Sequence, residues 1–188
     1  HYDGATPAAE AVILAYDNFR GKRKKVLVSR AVNPQYRQVI RTYMQAETSL
    51  QIVGDDIGTG INPDMQKFIA QIDNDTALVI VQYPDFFGRI IDYTQLIKTA
   101  HEFGALVAVA VNPTALGLLT PPGEIGADIA FGEGQPLGIP LSYGGPYLGF
   151  FAVKNPLLRK LSGRIVDKTV DADGKPAYVL TLTAREQH

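Results

Sequence analysis

The chain has 188 residues, 46% hydrophobic and 20% charged, with a formal net charge of −1. That suits one globular domain with a real core and argues against a general nucleic-acid or membrane-surface role. There is no cysteine, which excludes disulfides, thiolate metal sites and a cysteine nucleophile and fits a reducing cytoplasm, and two of the three histidines are the terminal His1 and His188, which argues against a multi-histidine metal site.

No stretch approaches the roughly 18 apolar residues of a membrane span. The opening HYDGATPAAEAV lacks a basic region followed by an apolar one, so it does not read as a signal peptide. The chain has no initiator methionine, and its last residues, TAREQH, read as the opening of a helix. A piece of a longer protein is the expectation.

Residues 6–19 carry helical periodicity, with Ala8, Val12, Ala15 and Phe19 on one stripe, Asp3 or Thr6 as cap and Pro7 in the first turn. RGKRKK leads into a strand at 26–29. Its position at a helix end predicts a solvated turn. A second helix is expected over 34–46, a strand over 50–53, a loop over 55–64, and a helix over 65–72 started by Pro63 and Asp64. A continuous apolar strand follows at 77–82, a turn at YPDFFGRI, and a helix at 93–103 capped by Asp92 and stopped by Gly104. Another apolar strand occupies 105–111. Apolar runs without period-2 alternation, separated by helices, predict a mostly parallel sheet flanked by helices on both faces.

After Asn112 the rhythm changes. A strand at 128–131 and another at 147–153 leave no room for a crossover helix, so the pair is expected to be antiparallel. A short helix at 155–161 precedes strands at 166–170 and 177–182, joined by DADGKP. Asp173-Gly174 is a tight-turn signal there. The domain reading is 1–165 for the large domain and 166–188 for a hairpin and the start of a helix leading to a further domain.

The stretch 126–153, GADIAFGEGQPLGIPLSYGGPYLGFFAV, is the densest in glycine and proline. It is too aromatic for a flexible linker and implies close backbone packing. GEGQPLG does not qualify as a dinucleotide fingerprint, because it lies late in the chain and Pro136 and Pro140 leave little room for a helix. VDADG lacks the later glutamate of a calcium loop. His101 sits in the last turn of a helix and reads as structural. YDGATPA offers a glycine, a hydroxyl and free N–H groups at a helix start, the makings of an anion site, although Asp3 would oppose an anion. No lysine lies between Lys98 and Lys154, so the glycine-rich loop offers only Glu133, Gln135, Ser142 and Tyr143. A lysine Schiff base there has no amine.

YDGAT, ADIAFG, FGEGQPLGIPLSYGGPYLGFFAV, LSGRIV and TVDADGKPAYVLTLTAREQH together resemble the P-protein family of the glycine cleavage system, glycine dehydrogenase (decarboxylating). The resemblance runs over the whole chain and points to the first subunit of the bacterial two-subunit form. It implies the large-domain fold of fold-type I pyridoxal-phosphate enzymes, with one antiparallel strand. It further implies a heterotetrameric complex that decarboxylates glycine and passes the aminomethyl group to the lipoyl arm of H-protein. The cofactor lysine of that complex belongs to subunit 2. The histidine-lysine pair of that subunit aligns with Gln135 and Pro136 here, and its ring-nitrogen aspartate falls near Ala108. The resemblance therefore implies no catalytic or cofactor-binding residue in this chain, with pyridoxal phosphate on the partner. It assigns Tyr2, Asp3, Thr6, Gln135, Ser142 and Tyr143 to the subunit interface or the lining of the partner's site. Tyr2, Asp3 and Thr6 match the region where pyridoxal enzymes hold phosphate. The competing readings are an autonomous pyridoxal enzyme using Lys154 and a structural binding module.

Overall fold

Uninterrupted runs of branched and small apolar residues make strands that can be covered on both faces. The structure is a computed structural model and describes residues 1–56, 58 and 64–181. Among them, β1 (Lys25–Val28), β2 (Gln51–Val53), β3 (Thr76–Tyr83), β4 (Leu106–Val111), β5 (Ile129–Glu133) and β6 (Gly149–Val153) form one six-stranded sheet in the order β2-β1-β3-β4-β5-β6. Every pairing is parallel except β5 with β6, where Ile129 faces Val153 and Glu133 faces Gly149. The mostly parallel sheet with one antiparallel strand is therefore as expected.

Both faces are dry. Val79, Val81, Val107, Val109 and Val111 point to one side and pack with Phe68 of helix α3 (Met65–Ile69) and with Leu96, Ile97 and Ala100 of helix α4 (Thr94–Glu102). The alternate residues Leu78, Ile80, Ala108 and Ala110 are equally buried and point the other way. Helix α1 (Ala5–Asn18) lies on that side against β3 to β6, and helix α2 (Pro34–Met44) packs beside it. Tyr36 of α2 reaches the Phe131 ring at 6.4 Å between centroids. Ala5, Ala8, Ala9, Ala11 and Ala15 are all buried, and these small side chains let α1 approach its neighbours closely.

The predicted caps are made. Asp3 Oδ1 accepts from the N–H groups of Ala5 and Thr6 at 3.1 and 2.8 Å, Asp64 Oδ1 from Lys67 N at 3.0 Å, and Asp92 Oδ1 from Thr94 N at 2.8 Å. Gly104, at φ +70°, ends α4 with its N–H on the His101 carbonyl. Helix α3 is shorter than the predicted 65–72, because Gln71 and Ile72 turn back onto the carbonyls of Phe68 and Ile69. Strand β5 runs two residues past the expected Phe131, to Glu133, while β6 begins at Gly149 because the Leu148 N–H is held by Glu133. Ahead of α1, the His1 backbone nitrogen donates to the Gly149 carbonyl at 2.7 Å and the Gly149 N–H donates to the His1 carbonyl at 2.9 Å.

The chain divides into two compact units, His1–Lys154 and Asn155–His188. In the second, a 3-10 helix (Asn155–Lys160) precedes the antiparallel hairpin of β7 (Ile165–Val170) and β8 (Pro176–Thr181). Its turn is closed by Asp171 and Lys175, with Gly174 at φ +78°. The Asp171 carboxylate accepts from Asp173 N and Lys175 N within that turn. No group of three or more histidine or acidic side chains that could hold a metal is found among the described residues. Pro63, Leu182 and the expected helix opening at 183–188 lie outside the described residues. No described helix is long and apolar enough to cross a membrane.

Candidate functional site

The start of α1 meets the carboxyl end of β5, on the edge at which open α/β sheets place their ligands. The first N–H groups of a helix have no intrahelical partner and attract negative charge. Here each has one. Asp3 N donates to Thr6 Oγ1 at 3.3 Å, Gly4 N to Glu133 Oε2 at 2.9 Å, and Ala5 N and Thr6 N to Asp3 Oδ1. Thr6 Oγ1 in turn donates to the Asp3 carbonyl at 3.0 Å. The groups that could have held an anion are thus engaged from within the chain, as at an ordinary capped helix start, and Asp3, which opposed an external anion in the sequence, is one of the two carboxylates that engage them.

Glu133 is the hub. Its Oε1 accepts from Gln135 N at 3.0 Å and Leu148 N at 2.8 Å, while Oε2 holds Gly4 N. One carboxylate at the end of β5 therefore ties together the helix start, the turn after β5 and the entry to β6. Gly4 makes this possible. A Cβ there would overlap the Tyr36 ring and press on the Glu133 side chain. Tyr36 is half-buried beside the two acids, and desolvation first, then the charges of Glu133 and Asp3, push its phenol up to about 12.

Two cavities share Tyr36 and Glu133 as walls. One, of about 170 Å³, is completed by Gln82, Ala110, Asn112 and Pro136 among others. The second, of about 240 Å³, lies over Asp3, Gly4, Asn33 and Tyr147. Neither reaches the roughly 300 Å³ usual for small-molecule pockets. A wider groove of about 590 Å³ brings Tyr2 together with Ser142, Tyr143 and Tyr147. No lysine lines any of the three.

The six residues singled out in the sequence fall into two groups. Asp3, Thr6 and Gln135 serve the helix-start network. Gln135 gives its backbone N–H to Glu133, but its Nε2 is buried with no acceptor among the described residues. Tyr2, Ser142 and Tyr143 line the groove. Ser142 and Tyr143 have φ of +32° and +61°, a left-handed backbone costly for residues with a Cβ, and the Tyr143 ring is fully exposed. Ala108 is buried in mid-strand between Ile80 and Ile129.

Lys154 lies at the other end of the sheet. Its Nζ donates to Asp128 Oδ1 at 3.1 Å and to the Gly126 carbonyl at 2.8 Å, and His101 Nε2 meets Asp128 Oδ2 at 2.9 Å. Asp128 precedes β5 and Glu133 ends it, so the length of that strand separates Lys154 from the helix-start network. Tyr36, Gln82 and Asn112 escaped the sequence reading. Their signal was position: Gln82 and Asn112 end or follow apolar strands, where a parallel sheet exposes its functional edge.

A family model described as the glycine cleavage system P-protein matches residues 1–188. The chain belongs to the glycine cleavage system P-protein family. It is 51% identical over 187 residues to the probable glycine dehydrogenase (decarboxylating) subunit 1 of Geobacillus kaustophilus and 50% identical over 188 residues to that of Moorella thermoacetica, covering 100% of this chain and 41% of each relative. This P-protein chain therefore spans about two-fifths of the length of those relatives. A crystal structure of glycine decarboxylase (P-protein) of the glycine cleavage system in inhibitor-bound form superposes with a TM-score of 0.86 at 41% identity, over 98% of this chain and 40% of that one. The cysteine desulfurase CsdA of Escherichia coli superposes with a TM-score of 0.66 at 20% identity, over 92% and 43% of the two chains, a likeness of fold alone. The P-protein sheet thus has the large-domain architecture of fold-type I pyridoxal-phosphate enzymes.

Proposed function

We propose that this chain is the large-domain portion of the first subunit of a two-subunit glycine dehydrogenase (decarboxylating), and that it shapes a site whose cofactor sits on the partner subunit. The complex would decarboxylate glycine and pass the remaining aminomethyl group to the lipoyl arm of H-protein, in the cytoplasm. Pyridoxal phosphate needs an amine for its aldehyde and a cradle for its phosphate. The residues at the helix start do not fit it. Pro136 lines the cavity where the resemblance would put the lysine, and Ala108 replaces the acid for the ring nitrogen. The observation that carries the proposal is the capture of the α1 N-terminus by Asp3 and Glu133, which leaves no N–H group there for a phosphate.

Tyr2, Ser142 and Tyr143 are the residues that face the partner. The left-handed backbone at Ser142 and Tyr143 supports this, since such strain is held where a side chain must be presented in one direction. Asp3, Thr6 and Gln135 act behind them by fixing the loop. Lys154 as an autonomous cofactor lysine is disfavoured by its pairing with Asp128 at the far end of β5.

The test mixes the full chain with the second subunit and H-protein and measures carbon dioxide released from carboxyl-labelled glycine. Release should need both subunits. Borohydride reduction should leave pyridoxyl-lysine in the second subunit only. Trapping it in this chain, or glycine-dependent release by this chain alone, would sink the proposal.

A further inference from the structure

The cavity of about 170 Å³ at the carboxyl ends of β3, β4 and β5 has an uneven wall. Glu133 is the only charged residue among those lining it. Its Oε1 accepts from two N–H groups, whereas Oε2 accepts from Gly4 N alone and keeps one acceptor direction. The opposite character comes from Gln82, next to last in β3, and Asn112, just after β4. Both are amides whose oxygen is taken. Gln82 Oε1 accepts from Asn33 N at 2.8 Å, and Asn112 Oδ1 accepts from Thr114 N at 3.0 Å and from Thr114 Oγ1 at 2.8 Å. A backbone N–H needs an oxygen opposite it, so these bonds fix which end of each amide is which. They leave both NH2 groups without an acceptor among the described residues. Gln135, between the lining residues Glu133 and Pro136, has a buried Nε2 that lacks an acceptor as well. One anionic acceptor thus shares a small space with amide donors that have nothing to donate to.

We infer that this cavity is a recognition site for a small zwitterionic amino acid, and that glycine is the member of that class it fits. The ammonium group lies against Glu133 Oε2, and the carboxylate takes the amide donors of Gln82 and Asn112. A plain anion is disfavoured, because the one charge on the wall is negative. A plain amine would leave the donors unused. The cavity has the volume of about five water molecules, which admits about five non-hydrogen atoms and excludes a branched side chain. No lysine lines it, so binding there leads to no covalent step. The site is a sensor. Glu133 also holds Gln135 N and Leu148 N, at the two ends of the loop that carries Ser142 and Tyr143, so occupancy is felt in that loop. This coupling to the partner rests on the proposed interface, whereas the binding itself does not.

Calorimetric titration of the full chain, without the second subunit, should show one glycine bound per chain. Acetate and methylammonium each carry half of the ligand's charge pattern and should bind at least about tenfold more weakly. Leucine should not bind. Gln82→Glu and Asn112→Asp keep the oxygens that hold Asn33 N and Thr114 N and replace each NH2 group by an oxygen. Each should therefore fold as wild type does and lose more than about tenfold in glycine affinity. In the reconstituted pair of subunits, equilibrium dialysis of labelled glycine should count two per pair, and one when this chain carries Gln82→Glu. A count of one per wild-type pair overturns the inference. So does binding of acetate or leucine as tight as that of glycine, or glycine affinity undiminished in both variants. Carbon dioxide release and the location of pyridoxyl-lysine are separate readouts, so loss of this inference leaves the proposed function standing, and loss of that function leaves the titration of this chain to be read by itself.

Discussion

Tyr36 and Gly4 show how much of the site depends on single atoms. The Tyr36 phenol is raised to about 12 by burial and by its two acidic neighbours, so the folded chain holds that proton where the unfolded chain has lost it. Stability should fall as pH rises from about 10, the unfolded value. Tyr36→Phe should flatten that alkaline decline in a series of thermal melts, because phenylalanine has no proton to lose. At Gly4 an alanine methyl would overlap the Tyr36 ring and crowd Glu133. Gly4→Ala should lower stability by about 2 kcal/mol in denaturant melts, as overpacking at a closed site does. Glycine was legible in the sequence as a mark of close approach, but its neighbours were not. Tyr36 comes from the next helix and Glu133 from the far end of the unit.

At the level of elements, the strands were legible because each is a continuous apolar run, and the helices because each carries its own cap. The sequence reading went astray where an element's end is set by a distant group. Strand β6 starts late because Glu133 holds Leu148 N, and β5 extends because Glu133 itself is its last residue. The opposite end of β5 is fastened differently. Asp128 accepts from Val107 N, His101 and Lys154, joining the end of α4 to the starts of β4 and β5. Asp128→Ala would leave Val107 N without its acceptor and should cost about 2 kcal/mol. Lys154 is partly exposed, and Lys154→Ala should cost under about 1 kcal/mol. Urea melts of the two variants measure the difference. A larger cost for Lys154 would mean that the lysine does more than cover Asp128.

For the whole molecule, the parallel sheet could be read from the order of runs, whereas the site could not, because its members lie far apart in sequence and meet only through the topology. Asp3 and Thr6 pair locally and were visible. The exposed loop was visible as composition but not as geometry, since the left-handed backbone falls on Ser142 and Tyr143 as well as on Gly144, the residue that would announce it. If that loop faces the partner, Tyr143→Ala should weaken assembly with the second subunit by about tenfold, as loss of an exposed aromatic anchor does. The melting temperature of the chain alone should not fall. Analytical ultracentrifugation of the mixed subunits measures the first effect and calorimetry of the single chain the second.

The paired bonds between His1 and Gly149 have a consequence for how the sheet meets other chains. An edge strand with bare N–H and carbonyl groups is a template for edge-to-edge association. On the β6 side, backbone entering α1 covers part of that template, and on the β2 side the strand is only three residues long. The lead-in to the first helix is thus also a guard against aggregation. Deleting the residues before Asp3 should show itself as increased light scattering on concentration.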